Sequence, residues 1–179
     1  MAERSPRPPR RVAPPLDAAS LDRLALRYVE RFQTTRAKLA QYLVRKVRER
    51  GWDGAPADPQ GIADRFAELG YVDDRAFAEA KAAALGRRGM GARRVTGALQ
   101  QAGVGEADRD HVAPAVAADA LDAATRFAKR KRIGPFAVAP ADRDLQQRHL
   151  AAMLRAGHPF DLARSIVRMA PGETIDDII

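Results

Sequence analysis

Apolar residues fall three and four positions apart along most of this chain. That spacing commits the chain to helices. Leu21, Leu24, Ala25, Tyr28 and Phe32 form a first stripe, with Asp17 or Ser20 as its cap. Leu39, Leu43 and Val47 form a second, opened by Thr34 or Thr35 and closed by Gly51. Asp58-Pro59, a carboxylate cap followed by proline at the first helical position, starts a third with Ile62, Phe66 and Leu69, which Gly70 stops. The residue types agree with the spacing. Ala, Leu, Arg, Lys, Gln and Glu lose little side-chain freedom in a helix, and the β-branched runs of a buried sheet are missing.

The pattern then restarts. Asp73 or Asp74 caps a helix carrying Phe77, Lys81, Ala84 and Leu85, and a Gly- and Arg-rich turn is predicted over 86–91. Residues 92–102 carry Val95 and Leu99 inward, and 106–118 make a short helix that Pro114 should kink or end. A third cycle runs through 119–131 (Leu121, Ala124, Phe127), 142–156 (Leu145, His149 or Leu150, Met153) and 160–169 (Leu162, Ile166, Met169). Leu39-x3-Leu43, Val95-x3-Leu99-x3-Gly103 and His149-x3-Met153-x3-Gly157 overlay at a repeat of roughly 55 residues. Units this small cannot bury their faces alone. The expected fold is therefore all-α, with three tandem three-helix repeats (18–72, 73–118 and 119–170) stacked into an elongated, curved body; a single helical bundle is the competing reading. A disordered basic Pro- and Arg-rich arm is expected over 1–17, and a C-terminal tail over 171–179. Leu39, Leu43, Phe66, Leu69, Tyr71, Phe77, Val95 and Leu99 are assigned to cores.

Several chemistries are excluded. The chain has no Cys, so it carries neither disulfides nor a thiolate metal site. No apolar run approaches the ~20 residues of a membrane span, and the N-terminus lacks the apolar segment of a secretory leader. A cytoplasmic location is expected. His111, His149 and His158 share no helical metal-site spacing and read as surface or interface residues. Asp73-Asp74 reads as a cap, and neither Ser5, Ser20 nor Ser165 lies in a nucleophile elbow. The expectation is a non-enzyme with no cofactor and no metal.

What remains is charge. The net charge is +8, and it is segregated. Residues 81–103 hold five basic and no acidic residues, 104–122 hold one and five, and 123–132 hold five and none. Uniform compositional bias does not predict that pattern; a basic face for an acidic partner does. Arg87, Arg88, Arg93 and Arg94 flank the Gly-rich turn, where a helix N-terminus and guanidiniums together suit an anion. Lys129, Arg130, Lys131 and Arg132 form a second cluster at a helix C-terminus. Arg36, Lys38, Arg45 and Lys46 are secondary candidates.

Leu69-Gly-Tyr-Val-Asp-Asp-Arg-Ala-Phe-Ala78 resembles the central signature of the RecX family of regulators of the RecA recombinase. Arg87-Arg-Gly-Met-Gly-Ala-Arg-Arg-Val95, with Leu99 and Gly103, fits the same family, as do Thr35-Arg-Ala-Lys-Leu39 and Gly157-His-Pro-Phe160. The resemblance spans about residues 20 to 170. It implies tandem three-helix repeats, a monomer that lies in the groove of a RecA filament on single-stranded DNA, and repression of strand exchange, ATP hydrolysis and co-protease activity in recombinational repair and the SOS response. Some members also bind DNA, so direct DNA contact through helix-turn-helix-like units is the alternative. The 51–61 loop, Pro114 and the proline-rich arm depart from the family pattern.

Overall fold

A computed structural model describes residues 14–175. The arm expected over 1–17 lies outside the described residues as far as Ala13, and so does the tail beyond Ile175. Among the described residues the secondary structure is helical apart from one isolated bridge, between Leu16 and Trp52. The all-α expectation holds. The chain divides after Val72 into two units.

The first unit holds α1 (Ala18–Val29), α2 (Arg36–Arg50) and α3 (Pro59–Glu68). Each start follows from a side-chain oxygen meeting a backbone N–H that has no intrahelical partner. Asp17 and Ser20 exchange bonds as a capping box, at 2.8 and 2.9 Å. Thr35 Oγ1 accepts from the Lys38 N–H at 3.2 Å, and Asp58 Oδ1 from the Gly61 N–H at 2.9 Å. The core is Leu21 and Ala25 of α1, Leu39, Ala40 and Leu43 of α2, and Ile62, Ala63 and Phe66 of α3. Leu16, placed by the sequence at the end of the arm, is fully buried in this core. Its N–H donates to the Gly51 carbonyl at 3.0 Å, and its carbonyl accepts from the Asp53 N–H at 2.8 Å.

Three side chains expected in or beside this core face outward. Leu69 is 62 % exposed and Tyr71 55 %. Gly70 turns the chain in a left-handed conformation, φ 78°, and the Tyr71 and Val72 N–H groups both return to the Phe66 carbonyl. That reversal buries Val72 where the helical stripe would have put Leu69. Phe32 lies beyond the end of α1 and is 53 % exposed.

The second unit holds α4 (Asp74–Arg87), α5 (Ala92–Gln101), α6 (Glu106–Ala118), α7 (Ala120–Lys131), a 3-10 turn (Gly134–Phe136), α8 (Arg143–Arg155) and α9 (Phe160–Arg168). It contains two cores. One is built by α4, α5 and α6 around Ala78, Val95, Leu99, Val104 and Val112. The other is built by α7, α8 and α9 around Phe127, Ile133, Met153, Ile166 and Val167. Phe77 is half-buried and packs at the edge of the first. Gly86 and Arg87, expected in the turn, are still helical, so the turn is 88–91. Pro114 does not end its helix: α6 runs through it for 13 residues. The carbonyl that proline leaves without an N–H belongs to exposed Asp110, where water can serve it.

Candidate functional site

The 88–91 turn is held from two sides. The Gly91 N–H donates to the Ala156 carbonyl at 2.9 Å, and the Arg93 N–H to the Gly157 carbonyl at 3.2 Å. Both acceptors close the C-terminus of α8, so the positive end of α5 sits against the negative end of α8. Backbones approach this closely only because both partners are glycine. A Cβ on Gly91 would strike the Gly157 carbonyl, and one on Gly157, which has φ 92°, would strike the Arg94 N–H.

This corrects one expectation. The N-terminus of α5 was expected to hold an anion with its backbone N–H groups, but two of these donors are spent on the α8–α9 turn.

From the other side, α7 abuts the turn. Gly89 lies so close to α7 that a Cβ on it would come within 2.8 Å of the Phe127 nitrogen. Arg130 spans the gap: its Nη1 donates to the Arg88 carbonyl at 2.6 Å, and its guanidinium lies 5.4 Å from the Phe127 ring centroid. Arg130 is thus a clamp on the turn as well as a surface cation. His158 is 4 % exposed, against the expectation of a surface or interface histidine. Its ring meets Phe127 edge-on at 5.4 Å, and its Nε2 lies 3.2 Å from the Gly89 carbonyl. A carbonyl only accepts, so Nε2 carries the proton. Burial holds the imidazole below its ordinary pKa of 6.5, with the Gly89 bond opposing.

On this frame the cations are presented. Arg87, Arg88, Arg93 and Arg94 are exposed, as are Lys129, Arg130, Lys131 and Arg132. Arg132 ends α7 at φ 55°, unusual for a side chain with a Cβ. The structure brings Arg88 and Arg130 into contact, and it brings Arg93 and Arg94 together with two residues not singled out before. A groove of 510 Å³ is lined by Lys81, Arg93, Arg94 and Arg155, with Leu85, Leu154 and Gly97 among its other walls. No carboxylate lines it. In the sequence Lys81 is one of the five basic residues of 81–103, and Arg155 carries only the weak signal of a cation at a helix C-terminus.

Arg36, Lys38, Arg45 and Lys46 all lie on α2 of the first unit. Arg45 and Lys46 share Glu49, at 3.6 and 2.6 Å, and the bond from Lys46 holds the Glu49 carboxyl below its ordinary pKa. Both also lie over the Tyr42 ring, at 5.6 and 5.8 Å. Tyr42 stacks on Tyr28 at 4.2 Å, and Tyr28 meets Phe32 at 5.2 Å.

Among the described residues no group of three His, Cys, Asp or Glu is placed to hold a metal. His111 pairs with Glu79 at 2.9 Å, both exposed. No helix there is long and apolar enough to cross a membrane.

No family model matches the chain. Individual proteins do. A regulatory protein RecX of Myxococcus xanthus is 33% identical over 94% of this chain and 93% of its own length. A regulatory protein RecX of Halorhodospira halophila is 34% identical over 82% of this chain and 85% of its own. The crystal structure of RecX from Lactobacillus salivarius superposes with a TM-score of 0.60 at 15% identity, covering 84% of this chain and 94% of that one. A second RecX crystal structure gives 0.60 at 19% identity, covering 83% and 72%. The two structures establish the shared helical fold. With a third of its residues identical to a relative matched almost end to end, this chain belongs to the RecX family of regulatory proteins.

Proposed function

We propose that this chain regulates a RecA recombinase from the cytoplasm by binding, as a monomer, to the RecA filament on single-stranded DNA, and that it represses the filament's strand exchange, ATP hydrolysis and co-protease activities without catalysis of its own. Family membership supports the regulatory role. The observation that carries the docking surface is the set of cations around α5. Lys81, Arg93, Arg94 and Arg155 line one groove with no carboxylate, on a backbone pinned by the α8–α9 turn. Cations gathered on one groove without a carboxylate set up a positive potential that draws an acidic partner. Each three-helix group serves as one repeat, and many modest contacts spread over several protomers add up through avidity.

A second reading has its own observation. Tyr28, Tyr42 and exposed Phe32 form an aromatic row with Arg31, Arg45 and Lys46 over their rings. Aromatic rings beside cations are what unpaired bases stack on, which favours direct contact with single-stranded DNA by the first unit.

The test is RecA-catalysed ATP hydrolysis and strand exchange with the protein added, beside its affinity for naked DNA over a salt series. Inhibition at concentrations where naked DNA is unbound is expected. Tight, steeply salt-dependent DNA binding with no effect on RecA would replace the first reading with the second.

A further inference from the structure

We infer that the Lys81–Arg93–Arg94–Arg155 groove receives an acidic amphipathic helix of the protein partner, Leu-like side chains inward and carboxylates on its flanks. This deepens the docking reading above and rests on it. Four cations and no carboxylate line the groove, so its occupant is anionic. Phosphate and carboxylate both meet that demand, and the walls choose between them. Between the cations lie the half-buried aliphatic chains of Leu85 and Leu154, with Ala98 and Gly97. No aromatic ring lines the groove, so a base has nothing to stack on. Aliphatic side chains are what such walls bury, and Arg grips a carboxylate with two parallel bonds. An amphipathic helix offers both, with anchors three and four apart and carboxylates at its edges.

Gly97 is the second argument. It sits inside α5, where glycine is a poorer helix former than any residue except proline. Nothing in the fold asks for it: a Cβ there would meet no atom within 4 Å. Unlike Gly91 and Gly157, it makes no close backbone approach, and its φ is not left-handed. Its effect is to leave the groove wall flat, so that the backbone of another helix can lie against α5.

The experiment uses the full chain and fluorescence anisotropy. The probes are a labelled helical peptide of about four turns with a Leu stripe flanked by Glu, its Leu-to-Ser version, and an oligo-dT of equal charge. Gly97→Leu adds a side chain where a Cβ meets nothing within 4 Å and replaces a poor helix former, so circular dichroism should show it folded; Lys81→Glu, on an exposed side chain, is the second variant. The Leu/Glu peptide should bind the unmodified chain at least tenfold more tightly than it binds either variant, and tenfold more tightly than its Ser version binds. Oligo-dT binding should not respond to Gly97→Leu. Equal affinity of the Leu and Ser peptides, or unchanged peptide binding by Gly97→Leu, would overturn the inference. Filament binding measured alongside keeps the two claims apart. If Gly97→Leu and Lys81→Glu bind RecA filaments like the unmodified chain, the groove has no helix to receive, yet the docking reading stands on the remaining cations. Loss of filament binding in step with peptide binding supports both.

Discussion

Replacing Gly157 by Ala should destabilise the second unit far more than an ordinary Gly-to-Ala change. Two costs combine. The residue sits at φ 92°, and a Cβ in the left-handed region costs about 1–2 kcal/mol. The same Cβ would press on the Arg94 backbone, so α5 must back away from the α8–α9 turn. That breaks the Gly91-to-Ala156 and Arg93-to-Gly157 bonds, worth about 1 kcal/mol each. The total is about 3–4 kcal/mol. With a urea slope of about 1.5–2 kcal/mol/M, the midpoint followed by circular dichroism at 222 nm should fall by roughly 2 M. Gly172→Ala is the control. Gly172 has nearly the same backbone angle, φ 85°, but nothing lies within 4 Å of its would-be Cβ. It should show only the conformational cost, roughly half the shift. If Gly157→Ala is no worse than Gly172→Ala, the turn is not docked on α5, and the account of how the arginines are held in place is wrong.

Two further outcomes concern the cores. His158 takes its proton less readily folded than unfolded, because burial depresses its pKa; stability is therefore complete above about pH 6.5 and declines as pH falls from there through the folded-state value. His158→Asn should flatten the fall in urea midpoint between about pH 7.5 and 5.5, leaving a smaller slope from His149, which burial also depresses; an unchanged slope would show that His158 is not the buried neutral group described. Phe66→Ala should cost about 3–5 kcal/mol in the first unit, since the ring is 6 % exposed. Trp52, the single tryptophan, packs against that core and reports it by fluorescence; a loss under about 1 kcal/mol would mean the site collapses around the gap or was never full.

Helix positions were legible in the sequence because their signals are local. Asp17, Thr35, Asp58, Asp73 and Asp142 each cap within three residues of themselves, and Gly70, Gly103 and Gly157 stop helices by adopting a positive φ. What depends on distant residues was not legible. The 3.6-residue period places Leu69 on the inner stripe, but the turn at Gly70 comes first and Val72 takes the inner place. The N-terminus of α5 reads as an anion site until the α8–α9 turn, some sixty residues on, occupies two of its donors. Arg130 looks like one of four equal cations, yet it alone reaches back to the Arg88 carbonyl. Lys81 and Arg155 join Arg93 and Arg94 only through the packing of α4, α5 and α8. The two glycines that let α5 and α8 meet do stand out in sequence. Their partnership does not, because spacing along a chain says nothing about which turn faces which.

In the proposed mode of action, arginines of the second unit dock this chain on a recombinase filament. The most direct test is binding of the Arg93→Glu, Arg94→Glu double variant to RecA assembled on single-stranded DNA, against the unmodified chain at the same salt. Both side chains are exposed, so the variant should keep its helicity, lose tenfold or more in filament affinity, and lose inhibition of ATP hydrolysis in parallel. Full-strength binding and inhibition by a folded double variant would contradict the claim.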